Sequence, residues 1–192
     1  MSPTPLTDAI KGDHQEMYEY YDAYKAATGD ADTQARWAHQ LTWEVARHAV
    51  GEELIVYPLM EKHLGAKGLD LANQDRAEHQ TVKELLYNLP NSTPGTAQYD
   101  EIIHKVMAHL RPHNESEENE DLPMLDSKLG EEYSASAALS FKRTKKFVPT
   151  RPHPSAPNRP PLETFAGFLA APIDKLRDAF DTFPTQEMKD KL

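Results

Sequence analysis

The chain repeats itself at an offset of sixty-five positions. Asp13-His14-Gln15 then falls on Glu78-His79-Gln80, His39 on His104 and His48 on His113, with Glu52-Glu53 on Glu117-Glu118 and Pro58 on Pro123. Histidine fills 9 of 192 positions, so each further match at a set offset has a chance of about one in twenty. Several concordant matches, adjacent carboxylates included, mark two copies of one structural unit. Each unit must be a pair of elements that buries its apolar face against the other copy.

Those elements read as helices. Apolar residues recur at three- and four-residue spacing through the first 130 positions, and no stretch alternates as a half-buried strand does. The first helix is expected from about Leu6 to Ala27, stopped at Gly29. Asp30, Asp32 or Thr33 can cap the second, which carries Trp37, Leu41, Val45, His48 and Glu52 near one face. It should end or kink near Pro58, with a short extension to His63 before Gly65. The third is expected over Leu69–Leu89 and the fourth from Thr96 to about Asp121, with a bend at Pro112. Short connections between long helices imply an all-α, antiparallel up-down-up-down four-helix bundle, assigned to residues 1–128.

Residues 129–192 read as an extension. A shorter fifth helix is expected from Gly130 to Phe147. Six of the thirteen residues from Pro149 to Pro161 are proline, which favours an extended strap over a helix. A last helix carries an apolar stripe of Phe165, Phe168, Leu169, Ile173, Leu176 and Phe180. Docking of that helix on the bundle is the expectation, and an interfacial or partner-binding helix is the alternative.

Charge narrows the partners. The formal net charge is −10, whereas Phe141 to Pro161 holds six cations and no acid. That segment is expected to lie across the acidic body. No nucleic acid is expected as partner, because phosphate binding rests on clustered Lys and Arg. With no cysteine, disulfides, thiolate metal sites and thiol catalysis are all excluded. No apolar run is long enough to span a bilayer and the N-terminus has no signal-like h-region, so a cytoplasmic protein without a membrane partner is expected.

The chemistry lies in what each unit presents. His48 and Glu52 stand one helical turn apart on one face, as do His113 and Glu117, while His14 and His79 sit on the preceding helices. Taken singly, such residues are most often surface groups or ordinary side-chain pairs. Their twofold recurrence instead directs four imidazoles and two carboxylates to one interior. Burying two carboxylates uncompensated is costly, and divalent cations are the natural compensation. If both glutamates are shared, six ligands suffice for two ions with an open position on each. The mixed nitrogen and oxygen set suits iron, manganese or zinc.

The pattern His, His-x-x-x-Glu, His, His-x-x-x-Glu, with Glu-Glu and then Pro after each second histidine, resembles the hemerythrin-like (HHE cation-binding) family over Leu6–Leu125. The strap from Pro149 to Pro154 and the residues beyond it are similar to a C-terminal extension of fungal members. The resemblance implies a four-helix bundle with two non-haem iron ions held by His14, His48, Glu52, His79, His113 and Glu117. It also implies binding or sensing of oxygen, another small diatomic or iron, or else peroxidase or oxidase chemistry on peroxide or oxygen. Oxygen-carrying members have five histidines, with one four residues beyond that at His79, where this chain has Lys83. His109, one turn before His113, is a candidate rim residue or replacement ligand. Tyr18 and Tyr21 are candidate donors to a bound ligand. Glu53 and Glu118 are expected on the solvent side or just behind the ligands, with His39, His104, His63 and His153 outside the site.

Overall fold

A computed structural model describes residues 4–192, apart from the side chains of Phe165 and Phe168. Among the described residues there is no strand. Helix α1 spans Leu6–Ala26 and α2 spans Ala31–Gly51, with Asp30 as the cap that accepts from the Thr33 amide. Helix α3 spans Tyr57–Asn88 and α4 spans Ala97–Ser116. Then come α5 (Leu122–Leu129), α6 (Glu131–Thr144), α7 (Leu162–Asp178) and a short α8 (Gln186–Lys189) that the sequence does not signal.

Two π-helical turns join these helices, π1 (Glu52–Val56) between α2 and α3 and π2 (Glu117–Asp121) between α4 and α5. Both have the same cause. Pro58 and Pro123 lack the amide hydrogen that would reach the carbonyls of Leu54 and Asn119 in an α-helix. The ladder widens by one residue instead, so that Tyr57 N–H bonds Glu52 O and Leu122 N–H bonds Glu117 O. The helix therefore neither ends at Pro58 nor stops at Asp121. The first path continues to Gly65, where φ is 63°, and the second to Gly130, where φ is 74°. Glycine adopts both conformations without the Cβ clash that other residues meet there. Helix α4 passes through Pro112 unbroken.

The apolar core divides in two. One cluster gathers Met17, Leu41, Val45, Val82, Ile103 and Leu110 with their neighbours, the other Ile10, Val56, Met60, Ala72, Leu122 and Phe141. Along α1 the chain passes from the second cluster to the first, along α2 it returns, and α3 and α4 repeat this. The six predicted ligand residues lie at the crossing point of each path, so a polar layer is held between two apolar ones.

The extension is tied to the bundle by charge. Lys145, just past α6, reaches Asp13 of α1 and Glu44 of α2 in buried ion pairs. Arg159 in the strap contacts Asn73 and lies 3.6 Å from Glu61. The basic segment thus does lie on acidic groups of the body. Lys145→Met is expected to cost about 3 kcal/mol, because it leaves Glu44 with only Arg47 at 3.4 Å and Asp13 with only His48 at 3.1 Å. Urea melts of the two proteins measure this.

Helix α7 departs from expectation in its orientation. Its buried face is Glu163, Ala171 and Asp174, whereas Leu169, Ile173, Leu176 and Phe180 are exposed. Phe165 and Phe168 of the expected stripe lie outside the described side chains. The reason is polar: Asp174 pairs with His153 of the strap at 2.8 Å, and Arg151 of the strap bonds Asp181. His153 is accordingly half-buried and paired, not a free surface group.

Candidate metal centre

The structure brings together all six predicted side chains. His14, Glu52 and Glu117 are fully buried, and His48, His79 and His113 nearly so. His14 Nε2 is 3.0 Å from His48 Nε2, and His79 Nε2 is 3.1 Å from His113 Nε2. Glu52 Oε2 lies 3.0 Å from His48 Nε2 and 3.4 Å from His79 Nε2. Glu117 Oε2 lies 3.5 Å from His113 Nε2 and 3.8 Å from His14 Nε2. One group of donors within 4.8 Å of one another is His14, His48, Glu52 and Glu117, and another is Glu52, His79 and His113. Glu52 belongs to both. Asp75 joins His113 and Glu117 in a third.

Every imidazole turns Nε2 inward and gives Nδ1 to a carboxylate. His14 Nδ1 is 2.8 Å from Glu118, His48 Nδ1 3.1 Å from Asp13, His79 Nδ1 3.3 Å from Glu53 and His113 Nδ1 2.8 Å from Glu78. The four pairs obey the sixty-five-residue repeat: Asp13–His48 becomes Glu78–His113, and Glu53–His79 becomes Glu118–His14. Such carboxylates fix the tautomer that leaves Nε2 as the donor and make it more basic. Asp13→Asn and Glu78→Gln are each expected to weaken metal binding tenfold to hundredfold, roughly, in competition with a chelating dye.

The electrostatics describe a site short of cations. Burial and nearby His48 push His14 down to about 4, so its ring is neutral. Burial opposes charge on His48 and His113 too, yet Glu52 and Asp13 raise the first to about 10, and Glu117 and Glu78 raise the second to about 9. Burial and the Glu52 charge hold the Glu117 carboxyl well above the usual carboxylate range. Both Glu52 oxygens and Glu117 Oε2 are buried without a hydrogen-bond donor of proper geometry. The layer holds protons where metal cations would satisfy the same oxygens, and its donor set of imidazole and carboxylate fits a divalent metal.

The Hemerythrin HHE cation binding domain family matches residues 6–125. The chain belongs to this family. An uncharacterized hemerythrin-like protein of Schizosaccharomyces pombe is 49% identical over 181 residues, which is 94% of this chain and 89% of that one. That alignment takes in most of the extension as well as the bundle. No solved structure matches.

This hemerythrin-like chain also contains site residues that its sequence did not announce. Tyr57 is fully buried, with its hydroxyl 3.2 Å from His79 Nε2 and 3.3 Å from Glu117 Oε1. In an unbroken α-helix a residue five beyond Glu52 is turned about 140° from it. The extra residue of π1 brings Tyr57 back to the inner face. The position that repeats Tyr57 is Leu122, and the one that repeats Asp75 is Ile10; both are apolar and fully buried. The two halves therefore differ: a phenol and a carboxyl flank the His79–His113 half only. Burial raises Asp75 to about 7, although His113 opposes the shift.

The expectations for His109, Tyr18 and Tyr21 are corrected, whereas Glu53 lies behind His79 and His39 outside the site, as expected. His109 is exposed, because the buried stripe of α4 runs Ile103, Val106, Met107, Leu110, His113, Asn114 and leaves it just beyond the stripe's edge. Tyr21 packs in the core against His104, and Tyr18 lies under the Arg111 guanidinium at 4.5 Å. Glu53 is wholly buried, with both oxygens 2.6 Å from Lys83 Nζ. His39 bonds the Thr182 carbonyl, away from the site.

Proposed function

We propose that this protein holds two iron ions in its polar layer through His14, His48, Glu52, His79, His113 and Glu117, and binds or senses oxygen, another small diatomic or iron itself. The observation that carries the reading is Glu52: common to both histidine pairs, fully buried, and with neither oxygen hydrogen-bonded. Without metal only the His48 and His79 rings stand near its charge, and cations held between the two histidine pairs would satisfy both of its oxygens. Manganese and zinc suit the same donors, but redox chemistry with oxygen requires iron or manganese. The bound metals would supply Lewis acidity and electrons. The chain's own groups do the rest. The four Nδ1 carboxylates orient the imidazoles, and the apolar clusters above and below exclude water. Lys83, bound to Glu53, supplies no ligand at the position where oxygen carriers have a fifth histidine, so the His79 half keeps room for an exogenous molecule.

Tyr57 favours a second reading, a peroxidase or oxidase. Its hydroxyl is a proton donor held beside His79 and Glu117, on the half of the site that also has Asp75. Purified protein loaded with iron(II) without air is expected to change its absorption when oxygen or peroxide is added, and His113→Ala to abolish that change. Repeated peroxide consumption with an added reductant, slowed in Tyr57→Phe without loss of iron, selects the enzyme. One stoichiometric change selects the binding protein or sensor. An unchanged spectrum in the iron-loaded chain contradicts both. Action in the cytoplasm is part of this proposal; no helix among the described residues is long and apolar enough to cross a membrane.

A further inference from the structure

Beneath the proline-rich strap lies a cavity of about 370 Å³, walled by Ala46 and Val50 of α2, Lys83 and Tyr87 of α3, and Glu163 and Gly167 of α7. The strap, from Pro149 to Pro157, forms its roof. A second void of about 10 Å³, about the space of one water, shares Ala46, Lys83 and Pro152 with the first. Its other walls include His48 and His79, one imidazole from each half of the centre, with Val82 and Leu110. The two voids thus lie end to end, from the strap to the centre.

The roof is fastened. Arg76 Nε donates to the Asn158 carbonyl at 3.1 Å and Gln80 Nε2 to the Pro154 carbonyl at 3.0 Å. Helix α7 approaches so closely that a Cβ on Gly167 would stand 3.3 Å from Pro149 Cδ. The charged walls are neutralised in place. Lys83 is held by both oxygens of Glu53, Arg151 by Asp178 and Asp181, and His153 by Asp174. Glu163 is buried with no donor facing either oxygen, and burial together with Glu53 pushes its carboxyl up to about 10. A neutral acid stands there, able to donate to Glu53. Small apolar Ala and Val side chains and proline rings complete the lining. An ion entering such a passage loses its hydration and gains no counter-charge.

We propose that the C-terminal extension builds the access chamber of the centre, whose inner end between Ala46, Lys83 and Pro152 admits small uncharged molecules, such as dioxygen, nitric oxide or hydrogen peroxide, to His48 and His79. The assignment rests on the metal reading for its purpose but not for its geometry, and the test separates the two. Xenon is an inert apolar probe of the chamber. Under xenon pressure the methyl resonances of Ala46 and Val50, which line the larger cavity, are expected to shift in the wild-type chain, whereas that of Val82, beside the one-water void too narrow for xenon, is not. In the iron-loaded protein, Ala46→Leu is expected to slow the spectral response to peroxide by about tenfold, and Pro152→Gly to quicken it, with iron content unchanged. The response to azide, an anion, should be the same in all three. Absence of the xenon shifts overturns the proposal, as does a peroxide rate that neither variant alters. If Ala46→Leu does not fold, the wild-type xenon shifts and Pro152→Gly decide. If the wild-type chain takes up no metal, the proposed function fails while xenon still decides the chamber.

Discussion

Replacing Glu52 by alanine is expected to empty both metal positions, not one. Wild-type protein purified with iron should carry about two ions per chain, and Glu52→Ala below about a tenth of that, with helicity retained. The reason is geometric. Glu52 is the carboxylate found in the donor groups of both histidine pairs, so its loss leaves both to rely on Glu117 alone among the six ligands. Its neighbour provides the control. Glu53 lies behind His79 and is neutralised by Lys83, so Glu53→Gln should retain two ions and lose only affinity. Equal occupancy in Glu52→Ala and wild type would place the metal elsewhere.

Removing the metal is expected to lower the melting temperature, and by more at high pH than at low. Saturation a thousandfold above the dissociation constant is worth about 4 kcal/mol, or roughly 8–16 °C in a chain of this size. The pH dependence arises from the protons that the metal displaces. In the metal-free chain His48, at about 10, and His113, at about 9, are raised above their unfolded value of 6.5. Their contribution is complete below 6.5 and is lost as pH rises through 9 to 10. Glu117, also raised, acts in the same direction from its unfolded value of 4.5 upward. Glu52, held low, loses its contribution only as pH falls, so it does not reverse the trend above 6.5. The metal-free protein should therefore weaken more than the loaded one from pH 6.5 to 9. Calorimetric scans of chelated and loaded protein at pH 6.5 and 8.5 measure the gap; a gap that stays constant or narrows contradicts the assignment.

Much of the centre was legible because repetition removes chance. A single His-x-x-x-Glu says little, but a second at the same offset from a second upstream histidine names all six side chains and the helices that carry them. What escaped notice depended on register. Tyr57 sits inward only because Pro58 forces a π-turn, and Asp75 has no counterpart in the repeat to flag it. Asp13 and Glu78 appeared as matches, yet their role behind His48 and His113 needs the crossing of neighbouring helices to be known. The extension was the hardest to read. Its apolar stripe implied a buried face, whereas the pairing of Asp174 with His153 goes with Leu169, Ile173 and Leu176 lying outward. Local periodicity says which residues share a face, but not which face wins the partner.

The central claim is that six donors share a pair of cations. X-ray absorption on the iron-loaded chain, with metal content measured on the same sample, tests it most directly. Two irons per chain with an iron–iron vector at roughly 3.5 Å is the predicted result. One iron per chain, or two with no such vector, would contradict it.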